Sequence, residues 1–197
     1  MYGRNPKRKP LGGDGSSLEV QELFPTIQGE GPLAGHPAVF IRLGGCNLAC
    51  AFCDTEFESY RPWEPLRQPI SPLCDGLLAE GWRVQIETNG TLWRALDERV
   101  EIVCSPKAPA GRYFPLHPEI AARVGAVKCL ISADEGPYHA PPLPEALGVA
   151  PGVPFYLQPI DAANAQASAR NTARAVALVQ RYGYRLSLQL HKFIGIA

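Results

Sequence analysis

The feature that most constrains this chain is the run Cys46-Asn47-Leu48-Ala49-Cys50-Ala51-Phe52-Cys53, which follows a branched apolar stretch, 38–43, and the pair Gly44-Gly45. The stretch reads as a β-strand. The three thiols then sit on the loop at its C-terminal end, where barrel-like α/β folds keep their chemistry. Three thiolates can hold three irons of a cubane and leave the fourth open to an external chelator, whereas purely structural Fe–S and zinc sites usually close with four protein ligands. A zinc site completed by Asp54, Cys74 or His191 is the alternative reading. Zinc favours CxxC pairs, and only Cys50 to Cys53 has that spacing. Cys74, Cys104 and Cys129 stand among apolar neighbours and read as small buried hydrophobes. Six cysteines in 197 residues are too few for a disulfide scaffold, and their crowding points to a reducing, cytoplasmic compartment.

Around this loop the chain alternates short branched runs with helical patterns, the signature of an α/β architecture. Strands are expected at 18–23, 38–43, 83–87, 101–104, 127–132, 154–157 and 185–190. A helix is expected at 167–182, with Ala173, Val176, Ala177 and Gln180 on its apolar face and Gly183 as its stop. A second, at 71–79, has Ser71 as its cap and Pro72 at its first position. The proline-rich stretch 140–154 reads as a surface loop. Lys plus Arg and Asp plus Glu both number 19, so no global field exists to hold a polyanion, and nucleic-acid binding is not expected. The balance is composite. Arg4, Lys7, Arg8 and Lys9 lie in the first ten residues, leaving 15 basic against 19 acidic residues in the rest. Residues 1–17 read as a disordered basic tail and 18–197 as one domain. No apolar run approaches the ~18 residues of a membrane span, and no secretory signal follows the tail, so no membrane partner is expected.

The spacing C-x3-C-x2-C, with Phe52 before the last cysteine, resembles the radical S-adenosylmethionine (SAM) signature. Flanking blocks narrow it: Glu22-Leu23-Phe24-Pro25-Thr26-Ile27-Gln28-Gly29-Glu30-Gly31, Val39-Phe40-Ile41-Arg42-Leu43, Cys53-Asp54-Thr55, Ile86-Glu87-Thr88-Asn89-Gly90-Thr91, Ser105-Pro106-Lys107, Gln158-Pro159 and His191-Lys192. Their order resembles the 7-carboxy-7-deazaguanine synthase family of the queuosine and 7-deazapurine pathway, from about Leu18 to the C-terminus.

The resemblance implies a compact, partial (β/α) barrel and a [4Fe–4S] cluster on Cys46, Cys50 and Cys53. It implies Mg²⁺ at Thr55. SAM would lie against Phe52, Cys53, Asp54, Gly90, Ser105, Pro106, Lys107, Gln158, Pro159, Ile160 and Asp161. A pterin substrate would meet Ile27, Gln28, Gly29, Glu30, Arg42, Thr88, His191 and the terminal Ala197. On an enclosed barrel Arg42 would point inward, where its planar fork suits a carboxylate; a solvent-facing arginine is the alternative. The implied reaction converts 6-carboxy-5,6,7,8-tetrahydropterin to 7-carboxy-7-deazaguanine with loss of ammonia. Radical chemistry does the work and no side chain acts as nucleophile. An electron donor such as flavodoxin or ferredoxin and a homodimer are implied as partners.

One block departs from the family. A helix and strand ending in Gly-Gly-Glu-Pro should follow Cys-Asp-Thr, yet only eight residues, 56–63, separate Thr55 from Glu64-Pro65. Pro62-Trp63 stand in place of the two glycines. A βαβ unit needs ~30 residues or more, so one helix-strand unit is expected to be missing. Lowered SAM affinity follows. Two other readings are a catalytically impaired cluster-binding relative and another small radical SAM activase.

Overall fold

The computed structural model describes residues 18, 20–43, 46–48, 50, 52–53 and 70–196. Strands β1 (Val20–Ile27) and β2 (Pro37–Leu43) pair antiparallel, setting Phe24 opposite Phe40 and Glu22 opposite Arg42. Pro25 is tolerated in β1 because a two-stranded sheet leaves one side of each strand without a ladder. Five parallel strands then line up in chain order: β3 (Gln85–Thr88), β4 (Glu101–Cys104), β5 (Ala126–Ile131), β6 (Phe155–Pro159) and β7 (Arg185–Leu186). Helix α1 (Ile70–Ala79) precedes β3, and α2 (Pro118–Arg123), α3 (Pro144–Leu147) and α4 (Ala165–Tyr182) join the later strands. Helix α5 (Leu190–Ile194) closes the described chain.

One face of the sheet carries the core. Ile102, Cys104, Val127, Cys129, Ile131, Phe155 and Leu157 from the strands meet Ile120, Val124, Leu147, Ala175 and Leu178 from the helices. Burying each large apolar side chain contributes about 1.5–3 kcal/mol. Because successive strand residues alternate faces, the residues between them stand on the opposite, inner face. Val103, Ala126 and Tyr156 cluster there, and Glu87, Lys128 and Gln158 share that face. A parallel sheet is covered on both sides, so a lysine inside an otherwise apolar β5 must find partners.

Several expectations are corrected. Strand β1 is displaced to Val20–Ile27, and only Arg185–Leu186 of the run 185–190 is strand, since Leu190 already begins α5. Helix α1 starts at Ile70, which places Ser71 within its first turn, where the hydroxyl bonds the Ala95 carbonyl instead of capping. Helix α4 is capped by Asn164, whose side chain accepts from Ala167 N–H at 2.9 Å, and stops at Gly183 with φ +69°. It buries Asn171, Ala175 and Leu178. The expected face of Ala173, Val176, Ala177 and Gln180 is outward or partly so, because the bulk of Leu178 and the hydrogen bonds of Asn171 turn the helix. The stretch 140–154 is not only loop: α3 drives Leu147 fully into the core. Among the described residues no helix is long and apolar enough to cross a membrane. The basic tail 1–17 and the shortened segment around Pro62-Trp63 lie outside the described residues.

Candidate functional site

The cysteine loop leaves the end of β2, and none of its three cysteines is in a disulfide. Its last turn is closed by Cys53 N–H donating to the Cys50 carbonyl at 3.2 Å. Burial pushes the Cys50 thiol up, Lys107 pulls it down, and the nearby Cys46 and Cys53 push it up again. The loop is fastened to the end of β3 by side chains. Asn89 Nδ2 donates to Asn47 Oδ1 at 2.8 Å and to Cys46 Sγ at 3.8 Å, while Asn47 Nδ2 donates to Thr91 Oγ1 at 2.8 Å. Leu48 N–H adds a second donor to Cys46 Sγ at 3.5 Å. Three cysteines on one short loop, with donors aimed at the Cys46 sulfur and an ammonium nearby, fit an anionic iron–sulfur cluster. Among the described residues no three His, Cys, Asp or Glu side chains converge as ligands of one metal ion would; cluster ligands each meet a different iron.

Beside the loop, a cleft of about 450 Å³ is lined by Phe52, Ser132, Tyr138, Ile160, Asp161 and Asn171, among others. Phe52 meets Tyr138 edge-on at 4.9 Å between ring centroids. Asn171, buried in α4, accepts from Ala133 N–H and donates to the Ile160 carbonyl, both at 2.7 Å, and so ties the ends of β5 and β6 together. Asp161 accepts from Lys192 at 2.6 Å, and this bond leads in holding its carboxyl below the usual range. A smaller cleft on the other side of the loop is lined by Leu48, Asn89, Gly90, Pro106 and Lys107. Lys107 Nζ is bound to Ser105 O at 2.7 Å and Ser105 Oγ at 2.6 Å. Burial, then the charge of Lys128, lowers its pKa. Six of the residues expected around SAM thus line these clefts, Phe52, Gly90, Pro106, Lys107, Ile160 and Asp161, and Ser105 is bonded to Lys107.

The residues after β1 fold over the inner face of the sheet. Gln28 is 6% exposed and donates to Glu87 Oε1 at 3.4 Å. Its own Oε1 accepts from Glu30 N–H at 3.1 Å. Gly29 lies under α5: its carbonyl accepts from Leu190 N–H at 3.0 Å, and a Cβ on it would stand 2.2 Å from His191 Nδ1. Glu30 bonds Lys128, which also donates to Glu87 at 2.8 Å, and Glu30 accepts from Gln189 at 2.8 Å. Gly31 N–H donates to Ser187 Oγ at 3.0 Å, and that hydroxyl donates to Gln158 at 3.3 Å. Burial pushes the Glu30 carboxyl up, but Lys128 and Gln189 outweigh it and keep the pKa below the ordinary value.

Of the residues expected at the substrate, Gln28, Gly29, Glu30 and His191 therefore come together. Thr88 stands at the end of β3, where its Oγ1 accepts from Gly90 N–H at 3.2 Å. Ile27 is 36% exposed at the end of β1. Arg42 lies on the two-stranded sheet, 3.2 Å from Glu22, with its guanidinium over the Phe24 ring. Pro159 ends β6 beside Ile160. Asp54, Thr55 and Ala197 lie outside the described residues. The sequence reading missed Lys128, Gln189, Ser187 and the role of Glu87. The available signal was the single charge inside Ala126–Ile131.

No protein-family model matches the chain. A 7-carboxy-7-deazaguanine synthase of Rickettsia prowazekii is 43% identical over 226 aligned positions, covering 100% of this chain and 96% of that protein. One of Rhodospirillum rubrum is 41% identical over 240 positions and covers 100% of both. A crystal structure of QueE from Escherichia coli matches the fold with a TM-score of 0.65 at 24% identity, covering 87% of this chain and 93% of that one. The first two alignments exceed the 197 residues of this chain by 29 and 43 positions (226 and 240 less 197), so these relatives carry stretches with no counterpart in it.

Proposed function

We infer that this chain, which belongs to the 7-carboxy-7-deazaguanine synthase family, converts 6-carboxy-5,6,7,8-tetrahydropterin to 7-carboxy-7-deazaguanine with loss of ammonia. It is a radical SAM lyase of queuosine biosynthesis. The observation that carries this reading is identity above 40% along the whole chain to two synthases, joined to three cysteines outside any disulfide on the loop after β2. When bound, the [4Fe–4S] cluster and SAM supply hydrogen-atom abstraction.

The chain's own residues position and shield. Cys46, Cys50 and Cys53 would each hold one iron, and Asn89 and Leu48 N–H would orient Cys46. Phe52, Ile160 and Asp161 line a cleft suited to the nucleoside of SAM, with Gly90, Ser105, Pro106, Lys107, Gln158 and Pro159 on the sheet side. Gln28, Gly29, Glu30, Thr88 and His191 would receive the pterin, with Ile27, Arg42 and Ala197 contributing at its edge. Thr55 would bind Mg²⁺, a hard ion that needs only one or two protein ligands beside water and substrate oxygens. A flavodoxin or ferredoxin as donor, a homodimer and a cytoplasmic address complete the proposal. Cysteines outside any disulfide suit a reducing compartment.

Anaerobic reconstitution with iron and sulfide, then reductant, SAM and the carboxytetrahydropterin, tests it. Deazapurine product is expected, with SAM bound more weakly than by relatives of full length. SAM cleavage without that product, or stoichiometric zinc in place of a cluster, overturns the assignment.

A further inference from the structure

We propose that Lys128 is a positioning residue that aims the carboxylate of Glu87 at the N–H donors of the substrate's pterin ring, with Glu30 as its buried anchor. This rests on the function proposed above. Lys128 is the only charge in β5, and its side chain is 5% exposed. Removing an ammonium from water costs several kcal/mol unless partners compensate. Its partners come from distant parts of the chain: Glu30 from the loop after β1, and Glu87 from β3 at 2.8 Å.

The two carboxylates are not equivalent. Glu30 is 14% exposed and has both oxygens taken, one by Lys128 and the other by Gln189 at 2.8 Å. Glu87 is 38% exposed, and beyond Lys128 it receives only the long contact from Gln28 at 3.4 Å. Glu87 is therefore the member with acceptor capacity facing the open side. Two carboxylates around one ammonium leave an excess of one negative charge. That charge suits a neutral, donor-rich ring edge, such as the amino and ring N–H groups of a 2-amino-4-oxopterin, which a carboxylate can accept in pairs. Burial opposes the charge on Lys128, but Glu87 and Glu30 outweigh it and hold it protonated well above the ordinary lysine range. Lys128 can thus neither act as a base nor leave the pair at working pH.

Other charged groups face this set. His191 from α5 acts on Glu30, and Lys107 from the end of β4 acts on Lys128. From β6, Tyr156 stands opposite Lys128, and its hydroxyl accepts from Arg185 of β7 at 2.8 Å; Gln158 and, after β7, Ser187 and Gln189 are uncharged. In Lys128→Met, Glu30 and Glu87 lose the cation between them, so protonation of one of the pair sets in at higher pH than in the parent.

The test measures calorimetric binding of the carboxytetrahydropterin to the cluster-loaded protein from pH 5 to 8, with SAM binding measured alongside. The unsubstituted chain is the parent, and each protein is also made with His191→Gln so that the contribution of the imidazole, itself at the pterin site, is measured separately. Glu87→Gln, at a half-exposed site and with Glu30 still paired to Lys128, is shown folded by its Tm and is expected to weaken pterin binding at least tenfold and to leave SAM binding unchanged. Lys128→Met is expected to make pterin affinity fall with falling pH across this range, and Lys128→Arg to restore a flat profile. Pterin binding by Glu87→Gln equal to that of the parent, or a flat profile in a folded Lys128→Met, overturns the positioning role while the function stands. A parent protein that binds no pterin overturns the function itself.

Discussion

Gly90→Ala isolates how tightly the cofactor side of the site is built. Gly90 has φ +82°, and a Cβ there would lie 2.5 Å from Cys104 Sγ and 2.7 Å from Leu116 Cδ2. Neither neighbour can retreat: Cys104 is wholly buried and Leu116 is 6% exposed, both within the main core. The left-handed backbone costs an alanine about 1 kcal/mol, and the extra methyl forced into a packed core about 1–3 kcal/mol more. The sum, roughly 2–4 kcal/mol, corresponds at this chain length to a fall in Tm of about 4–16 °C. The damage should reach function as well, because Asn89 next to it donates to Cys46 Sγ. Scanning calorimetry of the single variant, of Cys104→Ala and of the double variant separates the contributions. Removing the sulfur relieves the clash but not the backbone strain, so the double variant should recover part of the loss, with a coupling energy of about 1–2 kcal/mol. A Gly90→Ala protein melting within 2 °C of the parent, or additive losses in the double variant, refutes the reasoning.

Three further outcomes follow. Asn89→Ala removes a donor to the Cys46 sulfur and should lower the reduction potential of the reconstituted cluster, read by EPR-monitored titration without SAM; an unmoved potential rules the contact out. Asn171→Leu strands the Ala133 N–H and the Ile160 carbonyl, about 1–3 kcal/mol each. Urea unfolding should show a loss of several kcal/mol accompanied by weaker SAM binding, and a loss below 1 kcal/mol contradicts the bond pair. The Asp161 carboxyl is held below its ordinary value chiefly by the Lys192 bond, so the stability from this pair is present above pH 3.8 and disappears as pH falls through the lower folded value. Lys192→Met should therefore be slightly less stable than the parent at pH 6 and equal to it near pH 2; a constant difference across that range denies the linkage.

The strands of the five-stranded sheet could be read from sequence because a buried parallel strand is a short branched run between turns, as in Glu101–Cys104 and Phe155–Pro159. The cysteine loop was legible for a similar reason, since its three ligands lie within eight residues. Helices α2 and α3 were not, because six and four residues are too few to display a helical period. Their start signals, His117-Pro118 and Leu143-Pro144, look like ordinary loop prolines. The buried face of α4 was placed on the wrong side of the helix, about half a turn from Asn171, Ala175 and Leu178, because small residues on several sides leave the apolar pattern broad. Lys128 was visible only as a lone charge in an apolar strand, and its role was missed for a different reason. Its partners are 98 and 41 residues away, and nothing local says that a lysine in a strand points inward until the register of β5 against β6 is known.

The missing length bears on how the cysteine loop is held. The Rickettsia relative's alignment exceeds this chain by 29 positions, close to the ~30 residues of one βαβ repeat, and the sequence places the shortage between Thr55 and Glu64. Among the described residues β2 and β3 belong to different sheets. The strand that carries the cysteines is therefore not laddered to the strand that carries Thr88 and Gly90. Backbone ladders spread a load over many bonds, whereas this junction concentrates it in the side chains of Asn47, Asn89 and Thr91. Two asparagines and a threonine can hold the loop in place because each also satisfies its neighbour: Thr91 N–H and Oγ1 both donate to Asn89 Oδ1, which leaves Asn89 Nδ2 free to reach Asn47 and Cys46. Asn89 is thus the hinge of the set. Removing it takes away a link of the loop to the end of β3 and a donor to the Cys46 sulfur together, so its effect on the cluster should exceed that of replacing Asn47 or Thr91 alone.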